Sequence, residues 1–426
     1  MILHTFYNII VSSSIPVLKL LQYRNEKIKL FISERKNLFL NLSNKIQYPE
    51  NKKRIWFHST SVGEFEQAKP LIEILKSRYD TYIILSVFSS SIYKNALKYR
   101  FVDVITYLPF DTIFNAKRFV NIVKPDIFIT VKFDLWPNHL ITAKKYGAKT
   151  LLVDATLQPE SCRLLPIIKN FYQYVHRHLD YVFTVSEYDT ERFKPLLDKN
   201  TKLLTIGDTR FDSVHKRYLD SIKGSSSLRF ESGDVKVILG SVWPEDIKVV
   251  LAPSLDIVSK NNVILIVVPH EIDKKFINTI ETQIKDKGLK YTKWTNLGNE
   301  KCITKDISVV IVDAVGILAN LYLLTDIAYV GGSFSTGVHN TMEPGICGQP
   351  VVFGPVYYNS PEACKLVDLG VGFSIKSSKE FKNIILDLIN DSIKRKHLGL
   401  TARDFIMKSI GASDKIIEIM RISNLL

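Results

Sequence analysis

Glu64 closes the run His58-Ser59-Thr60-Ser61-Val62-Gly63-Glu64, which follows the apolar residues 55–57. A short β-prone run, a polar turn and then helical periodicity place this carboxylate in the first turn of a helix, where the dipole favours its ionised form. A carboxylate so placed suits general-base work on a hydroxyl nucleophile. It equally suits stabilisation of the helix start, and the sequence leaves both roles open. A second constellation lies in residues 326–355, DIAYVGGSFSTGVHNTMEPGICGQPVVFGP. Its apolar start reads as a strand, Gly331 and Gly332 as a tight turn, and Asn340, Thr341, Met342 and Glu343 as a helix entry. Unpaired amides and aligned peptide dipoles at such an entry suit a phosphate or carboxylate, and Glu343 is placed to accept hydrogen bonds from a ribose. Other polar turns also follow apolar runs: Gly240-Ser241 ahead of Pro244-Glu245-Asp246, Pro269-His270, and Lys132-Phe133-Asp134-Leu135-Trp136-Pro137-Asn138. In the last of these, Pro137 suits a first helical turn and Trp136 reads as a packing residue. No GxSxG elbow, Walker lysine or Asp-x-Asp pair occurs, which leaves metal-free transfer from an activated phosphate ester as the natural chemistry.

These turns need a scaffold, and the periodicity supplies one. Strands are expected at residues 55–58, 82–86, 104–108, 127–131, 151–153, 182–185 and 202–206, with helices between them. In the first helix Phe65, Ala68, Leu71, Ile72 and Leu75 share a face. The alternation restarts at 235–239, 263–268, 309–312, 327–330 and 351–353, with a last short strand near Phe373. Such alternation predicts α/β architecture, two doubly wound parallel sheets with ligands at the carboxyl ends of their strands. The expected division is an apolar anchor with a basic flank over 1–36, a first Rossmann-like domain over 37–207, a linker over 208–232, a second such domain over 233–400 and a helical tail over 401–426.

With 426 residues and 46% hydrophobic content, the chain is long enough for two well-filled cores. Its net charge of +14 predicts anionic partners. The lysines are spread along the chain and no recognition module is present, which argues against nucleic acid. Four cysteines without CxxC spacing indicate reduced thiols, neither a zinc site nor a disulfide framework. Residues 2–21 are moderately apolar but interrupted by Asn8, Ser12, Ser13, Ser14, Pro16 and Lys19, and are followed by Arg24, Lys27, Lys29, Arg35 and Lys36. They read as an interfacial or marginally inserted anchor that keeps the following domain on the cytoplasmic side of an anionic inner membrane, with an ordinary packed first helix as the competing reading.

Taken in order, Ser61-Val62-Gly63-Glu64, Leu135-Trp136-Pro137-Asn138, Ser186-Glu187 with Glu191-Arg192-Phe193, Gly207 through Phe211-Asp212, and Gly331-Gly332-Ser333 with His339-Asn340 and Glu343-Pro344 resemble the motifs of 3-deoxy-D-manno-octulosonic acid (Kdo) transferases of lipopolysaccharide synthesis. The resemblance spans nearly the whole chain. It implies a GT-B glycosyltransferase, with two Rossmann-like domains facing a central cleft. It further implies inverting, metal-independent transfer of Kdo from CMP-Kdo to a lipid A precursor of the lipid IVA type, with no cofactor beyond the donor substrate. In that family Glu64 corresponds to the general base, and Arg210 to a basic residue that steadies developing charge, with Asp134 as a further catalytic candidate. Pro269, His270, Val315, Gly316, Ile317, Asn340, Thr341, Met342 and Glu343 correspond to CMP-binding segments, and Gly240 and Ser241, as a further anion-binding turn, and Ser333 are added as candidates for the same substrate. The chain departs from the family where an acidic-Thr-Glu run is here Lys132-Phe133-Asp134, where Arg-His is reduced to His270, and where Val338 replaces a glycine. Another GT-B nucleotide-sugar transferase or epimerase, or an inactive membrane-bound scaffold, are the alternatives.

Overall fold

In the computed structural model, which describes residues 2–224, 228–231, 234–298 and 301–426, alternate side chains along each strand sort onto the two faces of two parallel sheets. Residues 1–213 and 410–426 form one unit and residues 214–409 a second. The first unit holds β1 (Lys53–Ser59), β2 (Thr81–Val87), β3 (Val104–Tyr107), β4 (Ile127–Val131), β5 (Lys149–Ala155), β6 (Tyr181–Thr184) and β7 (Lys202–Thr205), in the order β3-β2-β1-β4-β5-β6-β7. Ile55 and Phe57 pack with Phe65, Leu71 and Leu75 of the helix Val62–Arg78 on one face. Trp56 points to the other, among Phe119, Phe128 and Leu140. Burial on both faces explains why these strands read as unbroken apolar runs.

The second unit holds β8 (Arg229–Phe230), β9 (Val235–Val242), β10 (Val263–Pro269), β11 (Tyr291–Lys293), β12 (Cys302–Ile303), β13 (Val309–Ile311), β14 (Ile327–Val330), β15 (Val351–Phe353) and β16 (Gly372–Ser374). Its main sheet runs β11-β13-β10-β9-β14-β15-β16, and β8 pairs with β12 in a small ribbon. Val237, Leu239, Leu265 and Tyr329 fill one core, and Ile238, Ile264, Ile266 and Ala328 the other.

The stretch 208–232, expected as a linker, is largely the helix Arg210–Lys223; residues 225–227 and 232 lie outside the described residues. Its polar composition masked a face at helical spacing, on which Phe211, Val214 and Ser221 are buried. The expected tail also divides. The helix Ser392–Lys408 lies in the second unit, whereas Gly411, at φ +105°, turns the chain into the helix Ala412–Ile422 of the first. That last helix inserts Ile416, Ile417 and Met420 into the core beside Leu71 and Leu75.

For the N-terminal segment, the structure corrects the marginally inserted alternative. Among the described residues no helix is long and apolar enough to cross a membrane. The helix Ile2–Leu21 carries too many interruptions, and it docks on the first unit through His4, Tyr7 and Asn8. Phe6, Ile9, Ile10, Val17 and Leu20 remain exposed. Arg35 of the basic flank is withdrawn into structure, donating to the carbonyls of Phe88 (2.7 Å) and Leu108 (3.0 Å).

Because Ile416 is fully buried in the core shared with Leu71 and Leu75, Ile416→Ala is expected to destabilise the first unit by about 2–5 kcal/mol. Denaturant unfolding, followed by a probe placed in that unit, measures this; an unchanged midpoint would mean that the last helix is dispensable to its core.

Candidate active site

A parallel sheet offers an open crevice where its strand order reverses, at the carboxyl ends of the two strands that diverge. In the first unit these are β1 and β4. The chain leaving β1 enters the helix Val62–Arg78 through a capping box: Ser61 Oγ accepts from Glu64 N (3.3 Å), and Glu64 Oε2 accepts from Thr60 N (2.6 Å) and Ser61 N (3.3 Å). Both roles read for Glu64 therefore meet in one side chain. The cap engages Oε2, while Oε1 accepts no hydrogen bond among the described residues. The chain leaving β4 turns through Lys132, at φ +68°, and Thr130 Oγ1 donates to the carbonyl of Asp134 (2.7 Å). Burial and the nearby Asp134 push the Glu64 carboxyl up to about 7, against the backbone donors of the cap. His58 beneath it is pushed down to about 3 by burial and by His139, and its Nδ1 is held at Ser86, so it makes a poor base.

Arg210 opens its helix in the same unit and is engaged by its own turn. Its Nε (2.8 Å) and Nη2 (2.7 Å) both reach Asp208 Oδ2, and its amide donates to Asp208 Oδ1 (2.8 Å). The turn is tied down by Thr209, whose amide (2.8 Å) and hydroxyl (2.5 Å) donate to the fully buried Asp154.

In the second unit the order reverses between β9 and β14. Gly240 and Ser241 end β9, and a side chain at Gly240 would collide with the Tyr322 hydroxyl. Gly331 lies against the Ser241 carbonyl, with no room for a Cβ. The two turns are joined by the fully buried Asp246, whose carboxylate accepts from Trp243 N (2.9 Å), Gly332 N (2.9 Å) and the Tyr329 hydroxyl (2.7 Å). Pro269 ends β10, and the His270 ring stacks against both Trp243 and His339 with centroids 4.5 Å from each. Trp243 Nε1 donates to His339 Nε2 (2.8 Å), and burial followed by the neighbouring His270 lowers the basicity of His339.

The structure thus brings Gly240, Ser241, Pro269, His270, Ser333 and residues 340–343 to one edge, with Val315, Gly316 and Ile317 on the chain leaving β13. They are not equivalent there. Val315 is exposed, whereas Ser333 is fully buried and its Oγ accepts from Gly354 N (2.5 Å). Met342 is buried and donates its amide to Asn340 Oδ1 (3.0 Å). Thr341 Oγ1 is buried with no hydrogen-bond partner among the described residues. The helix after Thr341, Met342–Ile346, is only five residues long, so its dipole is weaker than that of a longer helix. Glu343 accepts from Asn340 Nδ2 (3.3 Å) and is paired with Arg217. Trp243, Asp246, His339 and Arg217 were missed as site residues. The capping pattern around Trp243-Pro244-Glu245-Asp246 was the available signal for two of them, and reading 208–232 as a linker hid Arg217.

Residues 34–213 match the family model described as 3-Deoxy-D-manno-octulosonic-acid transferase (kdotransferase). A bifunctional glycosyltransferase/methyltransferase of Fusobacterium nucleatum is 27% identical over 377 residues, 87% of this chain; the chain spans 57% of that relative's length. A 3-deoxy-D-manno-octulosonic acid transferase of Chlamydophila psittaci is 27% identical over 342 residues, covering 77% of this chain and 76% of the relative. The solved UDP-GlcNAc 2-epimerase of Neisseria meningitidis superposes with a TM-score of 0.58 at 12% identity, over 84% of this chain and 99% of that one. This likeness is one of fold, an α/β GT-B-like architecture built on parallel sheets.

If Glu343 holds a ribose, its replacement by alanine removes a charge-assisted acceptor worth about 1.5–3 kcal/mol. Glu343→Ala is then expected to weaken CMP binding roughly ten- to a hundredfold in calorimetry. Unchanged affinity in a folded variant would leave Glu343 a structural partner of Arg217 and Asn340.

Proposed function

We propose, from the match of residues 34–213 to the Kdo transferase model and the similarity of this chain to Kdo transferases, that it transfers Kdo from CMP-Kdo to a lipid A precursor of the lipid IVA type. The observation that carries the residue assignment is the Glu64 carboxyl, buried at the β1/β4 divergence with one oxygen outside its capping box. A base with a pKa near 7 is matched to proton removal at neutral pH. In this reading Glu64 takes the proton of the acceptor hydroxyl as its oxygen bonds to the anomeric carbon of Kdo, on the face opposite the phosphate. The bond from that carbon to the phosphate oxygen breaks, its electron pair leaves with CMP, and the configuration inverts. Arg210 offers positive charge during the transfer, and Asp134 is the next candidate base. The CMP moiety is assigned to the carboxyl edge of β9, β10 and β14, with Glu343 at the ribose. The transfer is read as metal-independent, since the sequence offers no Asp-x-Asp pair. Both substrates are anionic, in keeping with the +14 charge.

The site of action is read as the cytoplasmic face of the inner membrane. The N-terminal helix supports an interfacial attachment: its exposed Phe6, Ile9, Ile10, Val17 and Leu20 precede exposed Arg24, Lys27, Lys29 and Lys36. Phe6→Ser with Ile10→Ser leaves the docked residues untouched. The pair is expected to weaken flotation with phosphatidylglycerol vesicles at least tenfold, given about 1.5–3 kcal/mol for each large apolar side chain withdrawn from water. Full flotation of the double variant would remove this helix from the membrane contact.

Glu64→Gln keeps shape and hydrogen bonding but accepts no proton, and turnover is expected to fall by about 10²- to 10⁴-fold with CMP affinity unchanged. In the unaltered enzyme kcat/KM should decline as pH falls through about 7, where Glu64 becomes protonated. The stability sign is opposite to that of a simple cap. A folded pKa raised from 4.5 to about 7 means that the native state binds more protons between those values. Stability then declines as pH rises across that window, and Glu64→Gln should melt no lower than the parent at pH 8. A variant that melts lower yet turns over normally would make Glu64 a helix cap and shift the search to Asp134.

A further inference from the structure

The N-terminal helix is held by directional polar contacts. His4 Nε2 donates to Asn138 Oδ1 (3.0 Å), and Asn138 Nδ2 donates to Asn8 Oδ1 (2.8 Å) and to the carbonyl of Asp111. The Tyr7 hydroxyl donates to Asp111 Oδ2 (2.6 Å). His4, Tyr7 and Asn8 stand at i, i+3 and i+4, on one helix face. Their two receptors, Asp111 and Asn138, are each 2% exposed. Burying so many polar groups is costly unless all are paired, and paired they fix a single docking register that apolar contact would leave loose.

The same Asp111 carboxylate accepts from the amides of Asn138 (3.1 Å) and His139 (3.0 Å) and from His139 Nδ1 (2.5 Å). Burial pushes this carboxyl up, but His139, Tyr7 and Asn138 together hold it below the usual carboxylate range, so it stands as a charged hub. Asn138 and His139 lie in the first turn of the helix Pro137–Tyr146. Immediately before that turn run residues 132–136, with Lys132 at φ +68° and Asp134 beside Glu64. The Asn138 side chain, although it closes a motif flanking the site, is thereby directed at the N-terminal helix and Asp111.

We propose that the hydrogen bonds of His4, Tyr7 and Asn8 to Asp111 and Asn138 make the N-terminal helix a positioning element of the transfer site, its docking ordering residues 132–139 so that Asp134 is set against Glu64. The proposal rests on Glu64 being the base. None of the latch residues touches the reacting atoms; they act through the turn they hold. One segment then joins attachment at the membrane interface to competence for transfer.

The test uses the full chain, Tyr7→Phe, and the pair His4→Ala with Asn8→Ala. Hydrogen–deuterium exchange is followed over residues 132–139, and Kdo transfer is measured from CMP-Kdo to a short-chain, water-soluble lipid A analogue, for which membrane attachment plays no part. The expected result is exchange over 132–139 faster by about tenfold and kcat lower by about tenfold, with CMP affinity and vesicle flotation as in the parent. Exchange over 132–139 equal to the parent's, or faster exchange with undiminished kcat, overturns the proposal and leaves the helix as an attachment only. If the double variant fails to fold, Tyr7→Phe, which deletes one oxygen, decides. If the parent itself transfers no Kdo, the functional reading falls, and the exchange measurement still decides whether the latch orders the turn.

Discussion

A parallel sheet covered on both faces confines polar side chains to the rims of turns at its two edges, and at the carboxyl rim these turns open a crevice where the strand order reverses. Glu64 and Asp134 sit at that rim of the first sheet, and the turns at Gly240, His270 and Gly331 at that of the second. The turns at that rim have backbone donors with no strand or helix partner, and the chain meets them with buried carboxylates. Asp246 takes the amides of Trp243 and Gly332, Asp154 takes Thr209, Asp189 takes Leu157, and Asp111 takes Asn138 and His139. Each accepts more than one hydrogen bond, which satisfies its oxygens in a dry interior, although burial and Asp208 still push the Asp154 carboxyl well up. Removing one would free two strand ends at once.

Glu64 shows the same economy turned toward reactivity. Its capping box satisfies one carboxylate oxygen, while burial and Asp134 work against its ionised form. Structural carboxylates such as Asp111 have enough donors to remain charged; Glu64 has fewer and a like-charged neighbour. In the proposed mechanism, that difference in donor number separates a brace from a base on identical chemistry. Backbone strain falls at the same rims: Lys132 and Ser241 both adopt positive φ immediately beyond, or at the end of, a strand that borders a crevice.

Two polar segments carry more of the design than their composition announces. The helix Arg210–Lys223 places Arg210 at its first residue and Arg217 two turns later, paired with Glu343. The N-terminal helix spends one face on Asp111 and Asn138 and leaves an apolar face to solvent. Both are polar enough to pass for connecting chain or a weak anchor. Both instead make specific side-chain contacts.

What the sequence determined by itself was the periodic part. Continuous apolar runs bounded by glycine and polar turns located every long strand, and the order of strand and helix required parallel sheets with their turns at the carboxyl edge; Glu64 and the glycine turn at Gly331 and Gly332 followed from position alone. What only the tertiary structure decided was which polar side chains at that edge look outward and which brace it. Ser333 turns inward to Gly354, Glu343 is met by Arg217, and Asn138 faces His4 and Asn8. Periodicity reports burial averaged over a face, because the hydrophobic effect is non-directional and acts residue by residue along the chain. Hydrogen bonds between residues more than a hundred positions apart are directional and depend on strand order, which places distant turns side by side and leaves no local mark in the chain.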